Sequence, residues 1–316
     1  MKETILKAAT LLKDGNVIAI PTETVYGLAA NAFDEKAIIK IFEIKGRPLF
    51  NPLIVHIKSI DYLNTLVKYV PPKAVLLANH FWPGSLTLIL PKKDSIPAIV
   101  TAQKDTVAVR MPNHPLTLAL LNSIDFPLAA PSANPFGTIS PTEAKHVTDY
   151  FKEKVPLVLD GGICQNGIES TIIGFELDEP VLYRLGSITL EEIENVIGKI
   201  KIKTNNDISP EAPGMMSKHY APKTKTFLET DVNQFLKKHP NKKIGVLLFN
   251  QKIENQEFIH QELLSNNSNF KEAASNLYAA MHRLDKLGLD VLVAERFPDI
   301  DLGKSINDRL ERATKN

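Results

Sequence analysis

Cysteine is almost missing from this chain of 316 residues, in which Cys164 stands alone. A single thiol excludes an internal disulfide and any multi-cysteine metal site, and it fits a reducing compartment. An excess of charge is missing too. Lys and Arg number 37 against 36 Asp and Glu, and division at residue 205 gives 21 basic and 21 acidic residues, then 16 and 15. No global field points to nucleic acid or membrane, so a nucleic-acid contact would have to be a local patch. Long apolar runs are absent as well. The uncharged stretch from Ala74 to Pro91 holds Asn, His, two Pro and Gly, which excludes a membrane span. The start, MKETILKAATLLKDG, has acids within it and reads as an amphipathic helix with Ile5, Leu6, Ala9 and Leu12 on one face, not as a signal peptide. GxxxxGK[ST], GxSxG, HExxH and GxGxxG are all lacking, so the common NTPase, hydrolase and dinucleotide-binding classes have no support.

What is present is an ordinary globular composition, 44% apolar and 23% charged, on a length that favours two domains. Up to about residue 200, apolar runs of strand length (17–20, 53–57, 86–90, 107–109, 128–130 and 157–159) alternate with helical patterns. That alternation predicts an α/β domain with a mixed sheet. One helix should begin after Asp34 and stop at Gly46, and another should be capped by Ser140-Pro141-Thr142-Glu143. Periodicity lapses over residues 201–226, which read as a linker. A second α/β layer follows, with strands expected at 244–249 and 289–294 and helices at 270–287 and 305–313.

The polar residues collect at the ends of these elements. PTETVYGL, residues 21–28, follows a buried strand, and Thr22, Glu23 and Thr24 together exceed what capping a turn requires. Lys45-Gly46-Arg47 suits a helix C-terminus as well as a ligand, and Arg110 and Arg184 each end a strand. Four cations in such places suggest a polyanion. Ser132, Asn134 and Ser140 belong to a loop that turn chemistry alone could also choose, and Glu169-Ser170 lies in a further polar loop. Cys164 has no basic neighbour to activate it, and His80, His114 and His146 lack metal-ligand spacing and read as surface residues. From the residues alone, this is an α/β enzyme that binds a phosphorylated ligand and something small and polar.

The stretches PTETVYGLAANA, KGRPLFNPLIVHI, FWPGSLTLIL, TVAVRMPNHP, APSANPFGTISPT, GIESTII and YRLGSIT resemble, in order, the motifs of the YrdC-type threonylcarbamoyl-AMP synthases. APGMMSKHYAP and LGKSINDRLERA resemble the longer branch of that family, whose C-terminal domain is Rossmann-like. The resemblance implies a YrdC-like twisted mixed-sheet catalytic domain over residues 1–203, a linker or lid over 204–226 and a smaller Rossmann-like domain over 227–316. It implies a nucleotidyltransferase that makes L-threonylcarbamoyladenylate and pyrophosphate from L-threonine, bicarbonate or carbon dioxide, and ATP with Mg2+. The product would pass, in the cytoplasm, to a separate transferase that modifies the adenosine beside the anticodon of tRNA, with at most a weak contact to tRNA itself.

Carried over motif by motif, Thr24, His56, Arg110, Ala130 by its backbone, and Ser170 would surround threonine. Lys45, Arg47, Asn51, Thr106, Ser132, Asn134, Ser140 and Arg184 would hold ATP, with His219 or Tyr220 of the linker closing over it. No protein ligand to metal and no covalent nucleophile is implied, because positioning and charge neutralisation by Lys45, Arg47 and Arg110 suit the chemistry. The carbamoyl-transfer domains of hydrogenase maturation share the fold but normally travel with zinc-finger-like cysteines and an acylphosphatase module, and one cysteine speaks against that reading.

Overall fold

Most of the strand-length apolar runs in the first two hundred residues are realised as strands of one large sheet. The computed structural model describes residues 2–204, 213–215, 219–254 and 259–315. The strands of the first sheet are β1 (Ile18–Ile20), β2 (Gly27–Asn31), β3 (Ile54–His56), β4 (Leu86–Pro91), β5 (Thr106–Arg110), β6 (Leu128–Ala129), β7 (Thr171–Glu176), β8 (Glu179–Arg184) and β9 (Lys201–Ile202). They lie in the order β1-β2-β6-β3-β5-β4-β7-β8-β9. The pairs β3/β5, β4/β7 and β8/β9 are parallel and the rest antiparallel. Around them run α1 (Lys2–Lys13), α2 (Glu35–Lys45), α3 (Leu63–Leu66), α4 (Pro72–Phe81), α5 (Pro115–Asn122), α6 (Ala144–Phe151) and α7 (Leu190–Ile197).

Alternation divides the two faces of this sheet. Val55, Val107 and Val109 join the main core with Ile38 and Ile41 of α2, Leu77 of α4 and Ile193 of α7. Ile54 and Ala108, one residue out of phase, cluster on the other face with Met215 of the linker. Local signals place α2 well. The Asp34 carboxylate accepts the Lys36 and Ala37 amides, and Gly46 ends the helix at φ 60°, a left-handed turn that glycine takes without strain.

The second unit has four parallel strands, β10 (Lys225–Glu229), β11 (Ile244–Leu248), β12 (His260–Leu263) and β13 (Val291–Glu295), in the order β10-β13-β11-β12. Its helices are α8 (Val232–Lys238), α9 (Phe270–Asp285) and α10 (Leu302–Ala313). Helices α9 and α10 bury Leu277, Met281, Ile306 and Leu310 in a core that also takes in Val25, Ile139 and Ile168 of the first unit. The stretch read as a linker is partly ordered into sheet, since β9 lies at its start and β10 begins at Lys225. Its residues 205–212 and 216–218 lie outside the described residues. Among the described residues, no helix is long and apolar enough to cross a membrane.

Several local expectations give way to tertiary contacts. In α1 the buried residues are Ile5, Ala8, Ala9 and Leu12, while Leu6 is exposed. The helix expected after Ser140 begins only at Ala144, because the Ser140 hydroxyl donates to Glu169 instead of capping. A capping box does form at Thr189–Glu192. Residues 157–159 make only a single bridge, Val158 to Ala19.

His146 is buried, not on the surface, because α9 packs over it. Its ring stacks on His282 at 3.8 Å between centroids, its Nδ1 accepts the Thr142 amide and its Nε2 lies 3.2 Å from Glu143. His282 Nε2 meets the Ser140 carbonyl at 3.1 Å. Burial, then the partner histidine and Lys286, lowers the His146 pKa to about 3, and burial lowers that of His282 to about 4. Both values fall below the unfolded value, so the unfolded chain binds more protons and stability declines as pH drops from about 6.5 towards 4. The melting temperature should therefore fall with acidification. The slope should flatten in the His146→Gln/His282→Gln variant, and an unchanged slope would contradict this account.

Candidate active site

Residues of the PTET turn, of β3 and β5, of two polar loops and of the linker line one pocket, about 550 Å³ in volume with its open mouth included. The turn is built by its own side chains. Thr22 Oγ1 accepts the Thr24 and Val25 amides, both at 3.2 Å, and donates to the Val25 carbonyl at 2.6 Å. With the Thr22 proton so committed, the Thr24 hydroxyl is the donor in their 2.8 Å contact, and it accepts from Arg110 Nη1 at 2.8 Å. Tyr26 ties down the neighbouring loop, donating to the Gly162 carbonyl and accepting the Gly161 amide.

Arg110 ends β5 with its side chain on the pocket face. Its Nη2 is 2.5 Å from Glu23 Oε1, its Nε donates to the Gly84 carbonyl, and Glu23 also accepts the Asn113 amide. This end of the pocket is thus an arginine already balanced by a carboxylate, with hydroxyls beside it. His56, paired with Arg110 across β3 and β5, is held neutral, since burial first and Arg110 second lower its pKa to about 3. Its Nδ1 has no hydrogen-bond partner among the described residues. A neutral imidazole, a hydroxyl and a guanidinium can together bind a small zwitterion with a hydroxyl group.

The opposite end has a different charge balance. Arg47 donates to the Asn51 carbonyl, Asn51 Oδ1 and the Pro52 carbonyl. Arg184 donates to the Ser170 carbonyl and hydroxyl and to the Pro213 carbonyl. Lys45 donates to the carbonyls of Ser132 and Asn134. All three are buried, and among the described residues none forms an ion pair. Burial and the Arg184 charge lower the Arg47 pKa to about 9, and burial and Arg47 hold Lys45 well below the usual lysine range. His219 is likewise lowered, by burial first and then by Arg47 and Lys45. Such a cluster lacks an anion.

Of the residues singled out in the sequence, Thr24, Arg47, His56, Arg110, Ala130, Ser132, Ser170, Arg184, His219 and Tyr220 line the pocket. Lys45, Asn51 and Ser140 are not among the lining residues but bond to Ser132, Arg47 and Glu169, which are. Asn134 lies one step further back, its carbonyl accepting from Lys45 and its amide donating to Thr138. Thr106 is on the same strand face as Arg110 but about 13 Å further along β5. Pro213, Gly214, His219 and Tyr220 of the linker line the same pocket, with the Ala221 amide bonded to the Gly137 carbonyl. Cys164 is buried, and burial raises its pKa to about 12, so it stays a thiol. Glu169, to which the sequence assigns no role beyond membership of a polar loop, lines the pocket beside Ser170. Its partners, Tyr278 and Arg309, are 109 and 140 residues away in the chain, and no local pattern announces them.

Comparison with known proteins agrees with this architecture. A family described as "Telomere recombination" matches residues 10–186, and the C-terminal domain of threonylcarbamoyl-AMP synthase matches residues 188–314. The threonylcarbamoyl-AMP synthase of Pyrococcus abyssi is 42% identical over 323 aligned residues, covering 97% of this chain and 93% of its own. That of Bacillus subtilis is 41% identical, covering 98% and 92%. The crystal structure of P. abyssi Sua5 complexed with L-threonine superposes with a TM-score of 0.92 at 41% identity, over 98% of this chain and 94% of that one.

Proposed function

Since the chain belongs to the threonylcarbamoyl-AMP synthase family in its two-domain form, a family of nucleotidyltransferases, we propose that its pocket joins L-threonine, carbon dioxide or bicarbonate, and ATP. The observation that carries this reading is the charge asymmetry of the pocket. Threonine, a zwitterion, suits the balanced end at Thr24, His56 and Arg110. The triphosphate suits Arg47 and Arg184, which form no ion pair among the described residues, with Lys45 behind the wall at that end. The P. abyssi relative solved with L-threonine supports the first half of this reading.

The threonine amine, deprotonated, adds to carbon dioxide to form a carbamate. A carbamate oxygen then attacks the α-phosphorus, and the bond to the bridging oxygen breaks, releasing pyrophosphate with its electron pair. The protein's task is to hold two anions close together and to neutralise charge as it shifts to pyrophosphate, which fixed guanidinium groups achieve without reorganisation. His56, neutral and with a ring nitrogen that has no partner among the described residues, can accept a hydrogen bond from the threonine amine or hydroxyl. Its lowered pKa makes it a poor base, so the proton lost by the amine on carbamate formation goes to solvent. Pro213, Gly214, His219 and Tyr220 of the linker, which line the pocket, would slow the return of the carbamate to amine and carbon dioxide by excluding water.

Among the described residues, no group of three or more His, Cys, Asp or Glu side chains could hold a metal ion. Of the pocket carboxylates, Glu23 is committed to Arg110 and Glu169 to Arg309. Magnesium would accompany the triphosphate on phosphate and water oxygens, and no step above depends on it. A cytoplasmic site of action and delivery of the product to a separate tRNA-modifying transferase complete the proposal.

Pyrophosphate release is the direct assay. It should require ATP, threonine and bicarbonate together, and release that persists when threonine is omitted would refute the reaction.

A further inference from the structure

Helix α10, at the far end of the chain, reaches the pocket wall through one side chain. Arg309 is fully buried, with Nε 3.2 Å from Glu169 Oε2 and Nη1 3.0 Å from Asp308. Its Nη2 has no partner among the described residues. Glu169 also accepts from the Ser140 hydroxyl at 2.7 Å and from the Tyr278 hydroxyl at 3.0 Å. The same guanidinium lies 5.5 Å from the centre of the Tyr220 ring, and Tyr278 stacks on that ring at 5.8 Å.

Two needs meet in this one residue. Glu169 lines the pocket beside Ser170, which Arg184 grips, and its charge acts on Arg184 at the end read as a triphosphate site, so an unpaired buried carboxylate there would repel phosphate. Tyr220 holds a left-handed backbone at φ 63°, which a side chain disfavours, so contacts of its ring, together with the Ala221 amide bond to Gly137, offset that cost. Arg309 meets the first need by its ion pair and the second by its stacking face.

We propose that Arg309 is a positioning residue for the nucleotide: it neutralises Glu169 on the pocket wall and seats Tyr220 of the linker, so that the second domain sets ATP affinity without touching ATP. The inference rests on the reading of the pocket given above. It is tested in the full-length protein with Arg309→Met, Glu169→Gln and the double variant.

Arg309→Met should raise KM for ATP about tenfold or more and leave KM for threonine within about threefold, while removal of the Glu169 charge in the double variant should recover most of the ATP effect. Exchange of the Ala221 amide with solvent deuterium should quicken in Arg309→Met without any substrate present. A parallel rise in both KM values, a double variant worse than Arg309→Met, or unchanged exchange would overturn the proposal. If the methionine variant does not fold, Arg309→Lys serves. It keeps the charge but loses the planar contact, so Ala221 exchange should quicken with a smaller rise in ATP KM, and unchanged exchange overturns the proposal. A wild-type protein that does not use ATP and threonine would refute the reading of the pocket, whereas the exchange measurement judges the Arg309–Tyr220 contact alone.

Discussion

Replacement of Arg110 by alanine should lower kcat/KM for threonine by at least about 100-fold and leave KM for ATP within about threefold. The guanidinium does three things at once. It neutralises Glu23 at 2.5 Å, orients the Thr24 hydroxyl at 2.8 Å and grips the Gly84 carbonyl at 3.1 Å. Its loss removes the cation read as facing the threonine carboxylate. It also leaves Glu23 buried and unpaired, and breaking a buried pair from one side costs about 3–5 kcal/mol. The melting temperature should fall for that reason. Arg110→Ala/Glu23→Gln should regain stability, because no bare carboxylate remains, and should still fail to use threonine. A double variant that regains threonine use would show that Arg110 acts only by balancing Glu23.

Replacement of Arg47 by alanine should have the complementary effect. KM for ATP should rise by about 10- to 100-fold, with threonine affinity little changed, since hydrogen bonds to charged groups contribute about 1.5–3 kcal/mol. The cost in stability should be smaller than for Arg110→Ala. Among the described residues Arg47 donates to carbonyl and amide oxygens and to no carboxylate, so none of these is stranded, and its removal relieves repulsion with Arg184. Titration calorimetry with each ligand, together with thermal melts, separates the two variants. Equal losses for both ligands in both variants would undo the assignment of the two ends of the pocket.

The elements most legible in the sequence are those stabilised locally. Helix α2 is bounded by an Asp cap and a left-handed Gly that bond to their own neighbours, so a window of a dozen residues contains its physics. The helix expected after Ser140 fails for the opposite reason. Its capping hydroxyl finds a stronger acceptor in Glu169, 29 residues on, and the helix starts late. His146 is hidden by a helix more than a hundred residues away, so its spacing in the sequence says nothing of its burial.

By itself, the sequence determined the α/β class, the break into two units and an ordered run of motifs placing Thr24, Lys45, Arg47, His56, Arg110 and Arg184 at the ends of elements. Those are consequences of short-range periodicity, caps and residue identity. Only the tertiary structure decided which cations are balanced. Arg110 meets Glu23 across 87 positions and Arg309 meets Glu169 across 140, while among the described residues Arg47 and Arg184 bond to carbonyl, amide and hydroxyl oxygens and to no carboxylate. Charge compensation falls off with distance in space and is blind to distance along the chain, so it becomes visible only when the chain is folded.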